Sequence, residues 1–408
     1  MDSPSKYGGG FLQASRSTDS FHSLPIQTLT SEGWLELFLT PSEKRAFSQW
    51  KEEVVNKSLS HKYSAPLMNY LSKFIPDHIA PNIITLTGFA CLGQAWYIIN
   101  QYGETFPKSC TWFALVNILI FYCTHSMDVL HSEKIRQSTP LGTLFKYCCD
   151  CNATVFLVIV TTYCLGGDAL LSWYAVQSAQ LVLFTKHLSA FHRKAGLRYN
   201  VLTGPGEVII SVIILLAVRG TLGLDWFMNL YKLSVHQLIK GLDLHAGVSI
   251  DSDQIHLLQD PAELSSEAMM TFYYIMYATA VVKTLKLQKT HGWTRFGLAA
   301  SLLMRFLPAV ILRVGTSSGS SFELTVLDVI CDGFFMAVLT TDVTLAKMAR
   351  REIHPWVVLM SFCAVVSNST ILFLVLVYYI AVFADLCSYL NMPLMTVCKN
   401  VYCDGKCK

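Results

Sequence analysis

From residue 82 onward the chain is built of long apolar runs separated by short polar stretches. Runs long enough to cross a bilayer as a helix, about twenty residues, fall near 82–101, 109–130, 142–166, 168–191, 205–223, 266–287, 293–314, 322–347, 354–368 and 369–390. The ninth is short and can fuse with the tenth across Ser367-Asn368-Ser369. The pattern predicts an all-α, polytopic membrane protein with about ten transmembrane helices. Open strands cannot satisfy their backbone groups in lipid, so helices are the only element such runs can form here.

Polar punctuation divides the chain further. Residues 1–57 comprise a Ser-, Thr- and Gly-rich stretch that cannot bury a core, followed by a helix within 31–57. Thr40-Pro41-Ser42-Glu43 supplies its start signal, with Thr40 as cap and Pro41 in the first turn. Trp34, Leu35, Leu37 and Phe38 beside it suggest a helix lying on the membrane surface, or else one that docks on a partner. Residues 58–223 hold the first membrane core. Pro81 breaks the incoming segment there, and Asn82 is a candidate cap for the next helix. Residues 224–265 form a polar insert containing Asp251, Asp253, Asp260 and Glu263. A loop of that length suits a functional or partner surface, and its Asp-x-Asp is too sparse for a calcium loop. Residues 266–392 return to membrane helices, and 393–408 form a Cys-containing tail.

Composition sharpens the class. Of 408 residues, 52% are hydrophobic and 14% charged, a membrane-protein balance. The net charge of +3, with no basic stripe, argues against nucleic acid. Most of the thirteen cysteines sit in apolar runs as small hydrophobes. Cys398, Cys403 and Cys407 in the tail lack the spacing and the fourth ligand of a zinc site. The first thirty residues lack the apolar core of a cleavable signal peptide.

Charge at membrane depth carries the candidate chemistry. The stretch His125 to Asp150, HSMDVLHSEKIRQSTPLGTLFKYCCD, joins two apolar runs and places Asp128, Lys146 and Asp150 at or within them. Intramembrane charges mark either a functional site or a structural ion pair. Lys146 and Asp150, four apart, share a helix face and can pair.

Asp128, then Pro140-Leu141-Gly142, then Asp150 resembles the signature of the CDP-alcohol phosphotransferases, D-x-x-D-G-x-x-A-R followed by G-x-x-x-D-x-x-x-D. The similarity is strongest to the choline/ethanolamine phosphotransferase branch. Its S-P-L-G-E-L-F-D-H-G-C-D-S aligns without a gap on T-P-L-G-T-L-F-K-Y-C-C-D-C at Thr139–Cys151. Ile79-Ala-Pro-Asn-Ile-Ile-Thr-Leu-Thr-Gly88 resembles the branch's A-P-N-L-I-T-L-T-G, and Gly204-Pro-Gly-Glu207 its G-P-T-E-G. Thr340–Glu352 and Tyr378–Tyr402 resemble its closing helices. The resemblance runs over roughly residues 60–400 and omits the 224–265 insert.

The family resemblance implies four carboxylates on two neighbouring helices that hold divalent metal against a CDP-alcohol, with the last Asp as base. Here the four positions hold His125, Asp128, Lys146 and Asp150. Val129 stands at the motif's Gly, Ser132 at its Ala and Glu133 at its Arg, while Gly142 is retained. The acidic W-E-E-Y-H stretch reads Leu188-Ser-Ala-Phe-His192. Hard Mg²⁺ wants oxygen ligands in near-octahedral order. Lys146 puts an ammonium where a cation would bind, and His125 suits zinc better than magnesium.

Two readings follow. In the first, the motif is vestigial and no cofactor is expected. The chain is then a lipid-binding or structural subunit, with phospholipid, the membrane and other membrane-protein subunits or a second copy as partners. In the alternative it is an active phosphotransferase using Mg²⁺ or Mn²⁺, with Asp150 as base and Asp128 and Glu207 as ligands. A basic run, Arg193, Lys194 and Arg198, lies before Gly204-Pro205. It is read either as positive-inside topology or as a site for a lipid headgroup. Family resemblance implies endoplasmic reticulum or Golgi; a subunit of an energy-transducing complex would lie in the mitochondrial inner membrane.

Overall fold

Proline sets the helix starts. In the computed structural model, which describes residues 38–51, 55–193, 196–199, 201, 204–226, 228–229, 233, 261–286, 292–318, 324–354 and 368–397, six helices open on Pro. They are α1 (Pro41–Ser48), α3 (Pro81–Tyr102), α4 (Pro107–Lys134), α5 (Pro140–Cys164), α7 (Pro205–Leu222) and α8 (Pro261–Leu285). Proline at the first helical position loses only an N–H that would be unpaired anyway, and its φ is already helical. The others are α2 (Leu59–Ser72), α6 (Ala169–Arg193), α9 (Gly292–Ser318), α10 (Val326–Ala349) and α11 (Asn368–Leu390). Side chains add caps: the Gly142 amide donates to Thr139 Oγ1 at 3.1 Å, and Thr325 with Asp328 forms a capping box on α10.

The protein is all-α, and its helices follow the apolar runs closely. Among the described residues, seven helices are long and apolar enough to cross a membrane: α3, α4, α5, α7, the Arg295–Leu312 part of α9, α10 and α11 from Thr370. These seven do not by themselves confirm the expected count of about ten. Helices α6 and α8 form where the fourth and sixth spans were expected, but α6 is less apolar. Its Ser172, Gln177, Ser178, Gln180, Thr185 and His187 are all buried, packed against α10, α5 and α8 rather than exposed to lipid. The ninth expected span, 354–368, lies almost wholly outside the described residues, as do residues 1–37, most of the 224–265 insert and Cys398, Cys403 and Cys407.

The centre of the bundle is α10, flanked by α5, α6, α11 and α1. Gly333 lets it approach closely: a Cβ there would stand 2.8 Å from Val155 Cγ1 on α5 and 2.9 Å from Val176 Cγ1 on α6. At its end the chain turns through Arg350 at φ 53°. Arg351 then reaches back so that Nη2 pairs with Asp342 Oδ1 at 2.5 Å. Asp342 also accepts from Tyr378 Oη at 2.7 Å and from the His354 amide at 2.9 Å. Burial opposes the Arg351 charge, but the Asp342 carboxylate outweighs it and raises the guanidinium pKa.

Thr40 caps α1 and Pro41 opens it, as the sequence indicated, but the helix does not lie free on a surface. Phe38, Leu39 and Phe47 are buried, and Lys44 Nζ pairs with Asp385 Oδ1 of α11 at 2.6 Å. Of the two sequence readings, docking describes it, and the partner is this chain's own α10 and α11. Trp34, Leu35 and Leu37 fall outside the described residues. Asn82 does not cap α3, whose cap position is Ala80; its Nδ2 donates to Leu394 O at 2.7 Å instead.

Candidate functional site

Helices α4 and α5 form an antiparallel hairpin closed by residues 135–139. Gln137 lies midway between Asp128 and Lys146, so the two stand level across the hairpin. Lys146 Nζ donates to Asp128 Oδ1 at 2.5 Å and to the backbone oxygen of His125 at 2.6 Å. Asp128 is buried, and its other oxygen accepts from Thr85 Oγ1 of α3 at 2.7 Å. The Val129 amide gives Oδ1 a further donor at 2.6 Å. One level along, His125 Nδ1 meets Asp150 Oδ1 at 3.0 Å. The i, i+4 pairing of Lys146 with Asp150 is therefore not the bond formed. Each carboxylate has its own partner on the facing helix.

A cavity of about 120 Å³ opens beside this cluster, lined among others by Thr85, Asp128, Val129, Ser132, Gly142 and Lys146. Met392, Pro393 and Leu394, from the segment after α11, also line it. That segment is tethered by Asn82. Neither this cover nor the role of Thr85 is legible from the sequence, although both Thr85 and Asn82 lie in the Ile79–Gly88 motif. Glu133 is exposed and is not among the residues lining the cavity.

Glu207 stands elsewhere. Its Oε1 accepts from the Ser60 amide at 2.9 Å, so the first turn of α7 caps the start of α2. Nearby, the two-residue strands β1 (Val55–Asn56) and β2 (Arg198–Tyr199) pair in parallel, with Val55 opposite Arg198. This ties the loop between α6 and α7 to the segment before α2. Arg193 and Arg198 are exposed, and Arg193 Nε donates to Ser189 O at 3.2 Å. Lys194 lies outside the described residues.

Three of the four carboxylate oxygens of Asp128 and Asp150 are bonded to protein donors. A hard dication needs oxygens free to face it, yet Asp128 Oδ1 already holds an ammonium and an amide, Oδ2 a hydroxyl, and Asp150 Oδ1 an imidazole. Among the described residues, no three His, Cys, Asp or Glu side chains group in a way that could hold a metal ion. Asp77, outside the membrane-spanning segments, pairs with Lys134 at the end of α4 at 2.8 Å, and that lysine holds its carboxyl below the usual range by hydrogen bond and charge.

No family model matches the chain. Its curated relatives are informative. It is 28% identical over 178 residues, 42% of this chain and 43% of the relative, to an uncharacterized CDP-alcohol phosphatidyltransferase class-I family protein from Dictyostelium discoideum. It is 26% identical over 218 residues, 50% of this chain and 54% of the relative, to choline/ethanolaminephosphotransferase 1 from Saccharomyces cerevisiae. Against cholinephosphotransferase 1 from Danio rerio the identity is 27% over 194 residues, 43% of this chain and 50% of the relative. The chain spans about half the length of the curated relatives it matches. With its apolar helices and these homologues, the chain is an integral membrane protein related to the CDP-alcohol phosphatidyltransferase class-I family, with choline/ethanolamine phosphotransferases among its homologues.

Proposed function

We propose that this chain is a catalytically degenerate relative of the CDP-alcohol phosphotransferases, acting as a lipid-binding or structural subunit of a membrane complex. The observation that carries the reading is Lys146 Nζ, 2.5 Å from Asp128 Oδ1, in the cavity where the family resemblance implies a cation site. Phospholipid and the membrane are its partners, together with other membrane-protein subunits or a second copy. The docked α1 and the 224–265 insert are the features left over from the family pattern. The compartment is the endoplasmic reticulum or Golgi, or the mitochondrial inner membrane for a subunit of an energy-transducing complex.

The second reading is an active enzyme that makes phosphatidylcholine or phosphatidylethanolamine from CDP-alcohol and diacylglycerol. The cavity beside Asp128 and Gly142 favours it, as does the likeness to choline/ethanolaminephosphotransferase 1 and cholinephosphotransferase 1. A transfer assay on purified protein with radiolabelled CDP-choline and CDP-ethanolamine, in Mg²⁺ and in Mn²⁺, separates the two. No labelled phospholipid is expected. Turnover that disappears in Asp150→Asn would establish the enzyme instead.

A further inference from the structure

We infer that Lys146 is a resident cation occupying the place of a divalent ion, so that the junction of α3, α4 and α5 assembles without metal. The inference deepens the proposed function, since it rests on the same cluster, but it concerns how the site is neutralised rather than what the protein does. Its basis is where the ammonium sits. Nζ lies where two oxygens converge, Asp128 Oδ1 at 2.5 Å and His125 O at 2.6 Å. A cation at that point would meet those same two hard donors.

The surrounding bonds are arranged to suit. In an α-helix the His125 carbonyl ordinarily serves the Val129 amide; here Val129 N–H also donates to Asp128 Oδ1, and Lys146 adds its own donor to that carbonyl. Thr85 holds the second oxygen of Asp128 from α3. One ammonium thus bridges backbone and side chain of α4 from α5, while Thr85 links α3. His125 serves Asp150 separately, so the two carboxylates do not face one another unscreened. The Lys146 side chain is 19% exposed and the Asp128 side chain 4%, so the charge of Asp128 is compensated mainly from inside the protein.

The inference implies that removing the ammonium and supplying an oxygen ligand at position 146 creates a demand for metal. In Lys146→Asp, the new carboxylate, Asp128 and the His125 carbonyl present oxygens to one point, the donor type that Mg²⁺ and Mn²⁺ take. Lys146→Asn offers a neutral oxygen of similar length as a second variant.

Electron paramagnetic resonance of Mn²⁺ added to the full chain in detergent reads this directly, with melting temperature as the second measurement. Wild type should leave the free Mn²⁺ signal undiminished, and its melting temperature should be the same with Mn²⁺ and with EDTA. Lys146→Asp should take up one Mn²⁺ per chain and melt higher with Mn²⁺ than with EDTA, and Lys146→Asn should do so more weakly. Stoichiometric uptake by wild type that is lost in Asp128→Asn would overturn the inference. So would folded variants that both leave the signal unchanged, or failure of both to fold even with Mn²⁺ present. CDP-choline turnover by metal-free wild type would defeat the proposed function alone, and Mn²⁺ uptake without turnover would defeat this inference alone.

Discussion

Replacing Lys146 with Met tests the internal pairing most directly, because the stem is kept and only the ammonium is lost. Asp128 is 3% exposed, so its charge cannot be handed to solvent. Breaking a buried pair from one side costs about 3–5 kcal/mol. Two donors to Asp128 survive the change, Thr85 Oγ1 and the Val129 amide, and the Lys146 side chain is 19% exposed. Both facts place the expected loss near the lower end, about 3 kcal/mol. The assay is an SDS titration in mixed micelles on four proteins: wild type, Lys146→Met, Asp128→Asn and the double variant. In the Asp128→Asn background the amide carries no charge, and Lys146→Met should then cost far less, giving a coupling energy of about 1–3 kcal/mol, within the range for contacting residues. Mg²⁺ should not restore Lys146→Met, which adds no ligand. Additive single costs, with no coupling, would refute the pairing.

Arg351→Met should destabilise the protein by about 3–5 kcal/mol, because Asp342 is fully buried; Tyr378→Phe, removing one bond to the same carboxylate, should cost about 1.5–3 kcal/mol. The same SDS titration ranks the two, and an Arg351→Met loss no larger than that of Tyr378→Phe would contradict the ion pair. Gly333→Ala should cost about 1–3 kcal/mol through overpacking against Val155 and Val176, and a neutral result would mean that α5 and α6 yield freely. A phospholipid should co-purify through detergent exchange, with its phosphate at the basic loop between α6 and α7. Native mass spectrometry should show less of it in a combined Arg193→Ala, Lys194→Ala, Arg198→Ala variant, and equal occupancy would leave those charges a purely topological role.

The helices were legible because their determinants are local. Apolar length, Pro41 in a first turn and the Thr40 cap are set by a few neighbouring residues, and each reappears in the fold. Counting spans by apolar length was less secure. Helix α6 carries Gln177 and Gln180 in its middle, and only the packing of α10 and α5 around it turns those polar groups inward. Likewise Phe38, with Trp34, Leu35 and Leu37, reads as an interfacial face beside α1 or as a docking face, and only the packed fold buries it and pairs Lys44 with Asp385 of α11.

For the site, the order of residues alone places Asp128, Lys146 and Asp150 at or within apolar runs and sets an ammonium and an imidazole among the carboxylates. It left the partners open. Spacing along one helix offers Asp150 to Lys146, whereas the turn at residues 135–139 folds α5 back along α4 and sets Asp128 level with Lys146 and His125 beside Asp150. Which contact forms depends on how two helices face each other, and that register is fixed by the turn and by α3 packing behind them. The same holds for Asn82, a plausible cap along its own chain that instead donates to Leu394, a residue brought near it only by the return of α11. Local sequence fixes which groups can bond, but a side chain bonds whichever partner the packed helices bring within about 3 Å, and that distance belongs to the tertiary structure.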